Sequence, residues 1–261
     1  MILVNDVITY LETNFPKSLA YDWDNIGLNI GSIHSEIKKI LITLDVTESV
    51  VNEAIKTGAN LIVTHHPFIF TPLKSINIDS RQGRIIKLCI KNDISIYAMH
   101  TNYDIADDGM NDVLAKKLGI KNTKPLTLLK HDSDYGIGRI GELDQRMDIF
   151  EYINLVKMVL NIETANLVEA GSKEIKTVAI VGGSGSKSLE DAKKMGADLF
   201  ITGDVTYHTA LDAIDFGVSV LDVGHFVEVV MLSDVAMLLG EKFGTNLVVC
   251  SEMGKNPFKN V

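Results

Sequence analysis

A stretch of 27 residues that recurs later in the chain constrains the fold more than any other feature of this sequence. Residues 38–64 align with residues 176–202 at an offset of 138 without a gap, and eight of these 27 positions are identical. In the first copy, apolar runs at 40–44 and 61–63 indicate strands buried on both faces, and Gly58 stands where an intervening helix would end. The corresponding strands of the second copy are 178–181 and 199–201. We therefore expect an α/β fold with two related lobes that arose by internal duplication.

A third strand also corresponds between the copies, at an offset of 124. Residues 94–97 match residues 218–221, and the same alignment places Asp104 opposite Glu228. Each carboxylate lies just past a strand end and close to a histidine, His100 in the first copy and His225 in the second. Right-handed strand–helix–strand units bring the carboxyl ends of parallel strands to one edge, where ligands usually bind. The sequence therefore predicts a site at these strand ends, between the two lobes.

A histidine pair follows the second strand of the first copy. His65 and His66 precede Pro67, and adjacent imidazoles on an irregular backbone can point at two positions a few ångströms apart, as a two-metal site requires. A histidine at a strand end is more often a hydrogen-bonded structural residue, so the pair alone does not predict a metal. The second copy has Gly203 and Asp204 at the equivalent positions, which makes the predicted site asymmetric.

His225 and Glu228 are three residues apart at the start of a predicted amphipathic helix, so both side chains would lie on one face. Taken alone, Glu228 is explained by its favourable interaction with the helix N-terminus. Together with the other polar strand-end residues, we instead predict a metal site whose ligands are His65, His66, Asp104, His225 and Glu228. Imidazoles combined with carboxylates suit zinc, iron, manganese, nickel or cobalt better than calcium or magnesium. Two such ions, bridged by Asp104, would lower the pKa of a water molecule and favour hydrolysis.

A glycine-rich segment, residues 182–186, lies between a predicted strand and a predicted helix. Backbone N–H groups in such a segment can hold a phosphate, although Ser188 stands where a dinucleotide-binding motif has its third glycine. The candidate substrate contacts are Gly183, Ser184, Gly185 and Ser186. The alternative is a tight turn with no ligand.

His208 is a second candidate for proton transfer, beside His100. It follows the second copy's apolar strand, and imidazole is the side chain most often used to move protons near neutral pH. A hydrogen-bonded structural histidine is an equally good interpretation. We also expect Asp204 to cap the helix that carries His208.

The composition excludes several classes of protein. The chain has 261 residues, 46% of them hydrophobic and 23% charged, as in ordinary globular proteins, and its net charge of −9 argues against binding to nucleic acid. The N-terminus becomes polar too early for a signal peptide, and no apolar run approaches a membrane span. We therefore expect a cytoplasmic protein with no membrane contact, in which Cys89 and Cys250 are buried, reduced thiols.

At these residues the chain resembles the NIF-three-like family, whose members are widely labelled GTP cyclohydrolase 1 type 2 homologues. The matching segments are Trp23-Asp24-Asn25 with Gly27-Leu28, Thr43-Leu44-Asp45-Val46-Thr47, His65-His66-Pro67, His100-Thr101-Asn102-Tyr103-Asp104, Gly182-Gly183-Ser184-Gly185-Ser186, Gly203-Asp204 with Tyr207-His208, and Gly224-His225 with Glu228. The resemblance implies a two-lobed α/β fold and a ring-shaped homohexamer whose metal sites face an internal cavity. It also implies two divalent metal ions per subunit on the five ligands above, with His100 beside them.

Two departures from the family pattern limit what the resemblance implies. Some members space the last histidine and glutamate by four residues where this chain has three, and longer members carry an inserted middle domain for which this chain has no room. We accordingly predict a single domain, residues 1–261, with internal halves at approximately 1–125 and 126–261.

Three functions remain open from the sequence. The family label implies a dinuclear metal-dependent hydrolase that opens the imidazole ring of GTP with loss of formate, acting on a nucleotide or a similar heterocycle. The alternative is a non-catalytic metal-binding or partner-docking hexameric ring. A third possibility is a metal-dependent phosphoesterase, which would release phosphate instead of formate.

Overall fold

The protein is described by a computed structural model that covers residues 1–129 and 133–259 and contains two compact units. The first unit comprises Met1–Tyr103 and Met231–Pro257. The second comprises Asp104–Val230 and the chain end from Phe258.

The secondary structure alternates strands and helices along most of the chain. The strands are β1 (Gly27–Ile30), β2 (Ile40–Thr43), β3 (Leu61–Thr64), β4 (Ser95–Ala98), β5 (Lys121–Leu128), β6 (Gly136–Asp148), β7 (Asn166–Val168), β8 (Glu174–Ser184), β9 (Leu199–Gly203), β10 (Ser219–Asp222) and β11 (Val248–Cys250). The α-helices are α1 (Val4–Asn14), α2 (Glu48–Thr57), α3 (Arg81–Lys91), α4 (Thr101–Ile105), α5 (Met110–Lys117), α6 (Ile149–Leu160), α7 (Leu189–Lys194), α8 (Tyr207–Phe216) and α9 (Met231–Phe243). Short 3-10 helices span Lys17–Leu19, Ser186–Ser188, His225–Val230 and Thr245–Leu247.

The first unit is built on a five-stranded sheet with the order β1-β4-β3-β2-β11. The last four strands are parallel neighbours, and β1 pairs antiparallel with β4 at one edge. Every residue of β2, β3 and β4 is buried, as expected for parallel strands covered on both faces. One of these faces packs on α2 and α3 through a core that includes Leu41, Ile62, Ile96, Val50 and Ile85.

The second unit has a six-stranded mixed sheet with the order β5-β6-β8-β9-β10-β7. Strands β8, β9 and β10 are parallel, whereas the outer pairings are antiparallel. Its core combines Val181, Phe200 and Val220 from the parallel strands with Ala192 of α7 and Ala213 of α8. Each unit therefore contains three adjacent parallel strands in the same chain order.

The predicted strands and the first helix are confirmed. The apolar runs at 40–44 and 61–63 form β2 and β3, those at 178–181 and 199–201 lie in β8 and β9, and the third strands, β4 and β10, begin one residue later than predicted. Helix α2 ends at Gly58, whose φ of +77° is a left-handed conformation that glycine adopts without a side-chain clash. The architecture is the expected mixed α/β fold, while its origin by duplication stays a prediction.

The compact units do not coincide with the halves that the repeat suggested. The predicted boundary near residue 125 falls inside β5, whereas the units change at 103/104 and at 230/231. The second of these changes has a physical reason in β11, which pairs in parallel with β2 and so returns this segment to the first sheet. The repeat ends before this segment, so it carried no information about the return.

One expectation about the cysteines is wrong. Cys89 is fully buried, and burial raises the pKa of its thiol to about 12, but Cys250 is exposed. The reason is that Cys250 ends the short edge strand β11. Both thiols are free, as expected.

Across residues 1–129 and 133–259, none of the helices has the length and apolar character that crossing a membrane would require.

A buried arginine of the second sheet forms hydrogen bonds with the segment that follows α4. Arg139 of β6 is only 3% exposed and binds Asp112 of α5 through two hydrogen bonds of 2.6 and 2.9 Å. It also donates to the carbonyl oxygens of Ile105 and Ala106. Because a buried guanidinium needs every donor satisfied, this set of acceptors stabilises the backbone immediately after Asp104.

We predict that Arg139→Met lowers the free energy of unfolding by about 3 kcal/mol, because it leaves a partly buried carboxylate and several carbonyl oxygens without their donor. Urea unfolding followed by circular dichroism measures the change. The control is Lys194→Met, which removes a cation from the exposed Glu190–Lys194 pair and should leave the urea midpoint nearly unchanged. Equal midpoints for the two variants would contradict the structural role of Arg139.

Candidate metal centre

Four histidines in the candidate site share one feature, which is that Nδ1 of each ring is held by an oxygen acceptor. His65 Nδ1 lies 3.0 Å from the Met99 carbonyl oxygen, His66 Nδ1 2.8 Å from Asp45, His100 Nδ1 2.9 Å from Asp24, and His225 Nδ1 2.7 Å from Asp204. Carbonyl and carboxylate oxygens can only accept, so Nδ1 donates in each case. In the neutral ring Nε2 is then the nitrogen that can coordinate a metal.

Three of these rings lie together in the first unit. His65 and His66 follow β3 and His100 follows β4, and the two strands are parallel neighbours, so their carboxyl ends meet at one edge. Ligand atoms of the three residues lie within 4.8 Å of one another. His65 is fully buried and the other two are half-buried. The expectation that His100 lies beside the histidine pair therefore agrees with the structure.

Asp24 anchors His100 from a loop that sequence reasoning had given no role. Its side chain is fully buried and accepts three hydrogen bonds, from His100 Nδ1 and from the backbone N–H and the hydroxyl of Thr101. Burial raises the pKa of Asp24, but the hydrogen bond and charge of His100 and the hydrogen bonds from Thr101 outweigh it and lower the pKa below its ordinary value. Asp24 therefore acts as a charged acceptor that holds the His100 ring in one orientation.

Exposed aromatic residues surround the same edge of the first unit. Trp23 is the only tryptophan in the chain, and its ring centroid lies 6.1 Å from that of His100 and 5.8 Å from that of Phe70. Tryptophan fluorescence can therefore be used to test whether ions bind near His100.

Asp104 lies in α4 and is 7% exposed. Its carbonyl oxygen accepts a hydrogen bond of 2.9 Å from Asn111 Nδ2, while Asn111 Oδ1 accepts one of 2.9 Å from the backbone N–H of Gly182. Asn111 is fully buried within the second unit. This amide therefore joins the Asp104 segment to the end of β8.

His225 and Glu228 meet as the sequence predicted, although the local helix is of a different type. They lie on a 3-10 helix, His225–Val230, and the predicted α-helix starts only at Met231. Three residues complete a turn of a 3-10 helix, so side chains at i and i+3 lie directly above one another. His225 Nε2 is 3.1 Å from a carboxylate oxygen of Glu228, which is 3% exposed.

Asp204 does not cap α8, which corrects the prediction. Thr206 is the cap, and its hydroxyl accepts from the backbone N–H of Thr209. Asp204 instead has a left-handed φ of +54° and directs its carboxylate to His225 Nδ1. Because the helix begins two residues later than expected, Asp204 is available to orient a candidate ligand.

The glycine-rich segment packs closely against the His225–Glu228 pair. Gly183 has a φ of +63°, and a Cβ atom there would lie 2.3 Å from Glu228 Oε1. Two N–H groups near this segment's ends are already engaged, Gly182 by Asn111 and Gly185 by the Thr202 hydroxyl at 2.9 Å. The structure thus gives Gly183 a packing role beside Glu228, and a substrate contact by residues 183–186 stays a prediction.

His208 is not joined to the other candidate residues. It is exposed near the start of α8 and, within the described part of the chain, makes no hydrogen bond or ion pair. Its ring contacts that of Tyr207 at a centroid distance of 5.7 Å. A proton-transfer role for His208 therefore gains no geometric support.

Sequence reasoning missed two orienting carboxylates, Asp24 and Asp45, and assigned a third, Asp204, to a helix cap. Asp45 and Asp204 each follow closely after a parallel strand, β2 and β9, so they carry the same strand-end signal that identified the histidines. The acceptors for the histidine Nδ1 atoms could therefore have been predicted at the ends of these two strands. Asp24 lies in an irregular loop 76 positions from His100, and no local pattern indicates that pairing.

The donor chemistry of the site fits a divalent transition metal. Imidazoles with Nδ1 held by acceptors and buried carboxylates are the groups that coordinate zinc, iron or manganese in proteins.

We predict that Gly183→Ala lowers the metal content of the purified protein, since the added methyl group must displace Glu228. The control is Gly196→Ala, because Gly196 has a similar φ of +79° but no atom within 4 Å of the position that a methyl group would take. Both variants should lose about 1 kcal/mol of stability from the left-handed backbone. Metal analysis by mass spectrometry should show a loss for Gly183→Ala only, and equal metal content in both variants would contradict the close approach to Glu228.

Comparison with known proteins identifies the family of this chain. The family model described as Duf34/NIF3 (NGG1p interacting factor 3) matches residues 2–257. Relatives named GTP cyclohydrolase 1 type 2 homolog include one from Clostridium perfringens, 41% identical over 98% of both chains, and one from Streptococcus pneumoniae, 36% identical over 100% of both. The crystal structure of a Bacillus cereus protein related to NIF3 superposes with a TM-score of 0.92 at 31% identity, covering 100% of this chain and 99% of that one. This chain therefore belongs to the Duf34/NIF3 family.

Proposed function

We propose that this protein is a metal-dependent hydrolase of the cyclohydrolase type that acts on a nucleotide or a similar heterocycle. The observation that carries the proposal is the Nδ1 anchoring of four imidazoles, three in the first unit and one beside a buried glutamate in the second. Such anchoring is typical of metal-ligating histidines. The name shared by the relatives supplies the reaction class.

In this proposal two divalent ions are held by His65, His66, Asp104, His225 and Glu228. The ions would acidify a water molecule and polarise the attacked bond. The protein contributes imidazole rings held in one orientation and carboxylates that are buried away from water. Burial strengthens electrostatic interactions with the ions, because the local dielectric constant is low.

His100 is the preferred group for proton transfer. Its Nε2 would accept a proton from the attacking water and later donate it to the leaving nitrogen. Asp24 would hold the ring in position for both transfers, since its buried side chain accepts a hydrogen bond from Nδ1. His208 stays the alternative, and residues 183–186 stay candidates for the substrate contact.

The two alternative functions differ from the hydrolase in the products that they would release. A non-catalytic metal-binding or partner-docking ring would hold metal but release neither formate nor phosphate. A phosphoesterase would release phosphate from GTP. A cytoplasmic location is proposed for all three functions, and a small-molecule or nucleotide substrate for the two enzymes.

We predict that His65→Ala and Glu228→Ala each reduce metal content and formate release from GTP by about 100-fold or more, because each removes a buried ligand. The matched control is His34→Ala, since His34 is exposed and should be dispensable. The assay incubates each protein with GTP and zinc, manganese, iron, nickel or cobalt.

Formate release that persists in the metal-free His65→Ala variant would contradict the proposal. Metal binding without formate release from any nucleotide would favour the non-catalytic ring, and phosphate release alone would favour the phosphoesterase.

We also propose that the chain assembles into a homohexameric ring. Helix α8 exposes three large apolar side chains at helical spacing, Tyr207, Leu211 and Ile214, the first of them 75% exposed. A contiguous apolar stripe of this kind marks a surface for association.

Light scattering after gel filtration should therefore give a mass six times the 28.7 kDa of one chain. Leu211→Glu together with Ile214→Glu should reduce this mass because it places charge on the stripe, while the circular dichroism spectrum stays unchanged. A monomeric mass for the unmodified protein would contradict the ring.

A further inference from the structure

A cleft of about 400 Å³ opens beside His66 in the first unit. Its walls come from two segments, the strand ends that carry Asp45, His66 and Phe68, and the start of α3 with Arg81, Gln82 and Ile85. The volume falls in the range of sites for small organic ligands. All of these residues belong to one compact unit, so the cleft does not depend on the second.

Arg81 supplies a positive charge to this cleft. Within the part of the chain that the structure describes, its guanidinium forms no hydrogen bond or ion pair. Its helical neighbour Arg84 differs, because it binds Glu48 at 3.2 Å and the carbonyl oxygen of Asp79 at 2.9 Å. Arg81 is therefore available to a ligand, whereas Arg84 stabilises the protein itself.

Among the described residues, Asp45 is the only carboxylate that lines the cleft, and it binds a neighbouring histidine. Asp45 accepts a hydrogen bond of 2.8 Å from His66 Nδ1, so part of its charge is directed to that ring. The Gln82 amide donates weakly to the Phe68 carbonyl at 3.4 Å and can reorient toward a ligand. The side of the cleft formed by α3 thus favours an anionic group.

Apolar side chains form much of the remaining wall. Ile85 is 1% exposed and Phe68 is half-buried against the same core. A flat ring system that enters the cleft would bury apolar surface on Phe68, while Ile85 closes the cleft behind it, and an attached anion would reach Arg81. Inorganic phosphate alone would use the charge but not these walls.

We infer that this cleft binds the body of a phosphorylated heterocycle, with its phosphate at Arg81 and its ring against Phe68, adjacent to the candidate metal ligand His66. The choice of a nucleotide rests on the proposed function, whereas the cleft and its charge do not. Arg81 is thereby a specificity residue that selects phosphorylated over neutral nucleosides.

The test measures binding by isothermal titration calorimetry with three probes: GMP, guanosine and inorganic phosphate. Arg81→Ala should weaken GMP binding about tenfold, equivalent to about 1.4 kcal/mol, while guanosine binding changes less than about twofold. Lys87→Ala is the matched control, because it removes the same charge from the exposed side of α3 without lining the cleft. Thermal melting confirms that both variants are folded.

Several results would overturn the inference. These are GMP binding unchanged by Arg81→Ala, an equal loss in Lys87→Ala, phosphate binding as tight as GMP binding, or no binding of GMP to the unmodified protein. Since binding needs no turnover, a protein that binds GMP through Arg81 but never releases formate would refute the proposed hydrolase and support the cleft.

Discussion

The candidate site depends on hydrogen bonds from imidazole Nδ1 to oxygen acceptors fixed in the fold. Such a bond sets both the orientation of the ring and the nitrogen that can offer a lone pair. For His65 the acceptor is the Met99 carbonyl, which lies just after β4 and therefore moves with the sheet. Ring orientation is thus a consequence of the strand register, and the fold itself positions the candidate ligands.

The parallel sheets explain why so many polar groups gather where strands end. Buried strands such as β2 and β3 have no room for charged side chains along their length, so charged residues appear only beyond their last paired residue. There the backbone becomes irregular, and neighbouring strands place His66 and Asp45 within 2.8 Å. The cost of desolvating these groups is offset by their mutual hydrogen bonds.

Much of the fold could be predicted because its signals are local. Continuous apolar runs identified β2, β3 and β9, and Gly58 marked the end of α2. The return of β11 to the first sheet could not be predicted, because strand pairing over about 200 residues depends on tertiary packing that no local pattern encodes. The prediction that Cys250 is buried was wrong for the same reason, since an apolar segment at a sheet edge stays partly exposed.

The residues of the candidate site could likewise be predicted only where a local sequence pattern indicates them. His65, His66 and His100 were identified from their positions after strands, and His225 and Glu228 from their spacing. The acceptor Asp24 was missed and Asp204 was assigned the wrong role. Each role depends on a distant contact, across 76 positions from Asp24 to His100 and across 21 positions from Asp204 to His225. The close approach of Gly183 to Glu228 likewise becomes visible only in three dimensions.

Nitrogen NMR of the imidazole rings tests the account most directly. In the protein labelled with ¹⁵N and stripped of metal, long-range correlations should show that His65, His66 and His225 carry a proton on Nδ1, and added zinc should shift their Nε2 resonances. Rings protonated on Nε2 in the neutral form, or zinc-dependent shifts confined to Nδ1 or to other histidines, would contradict the proposed metal centre.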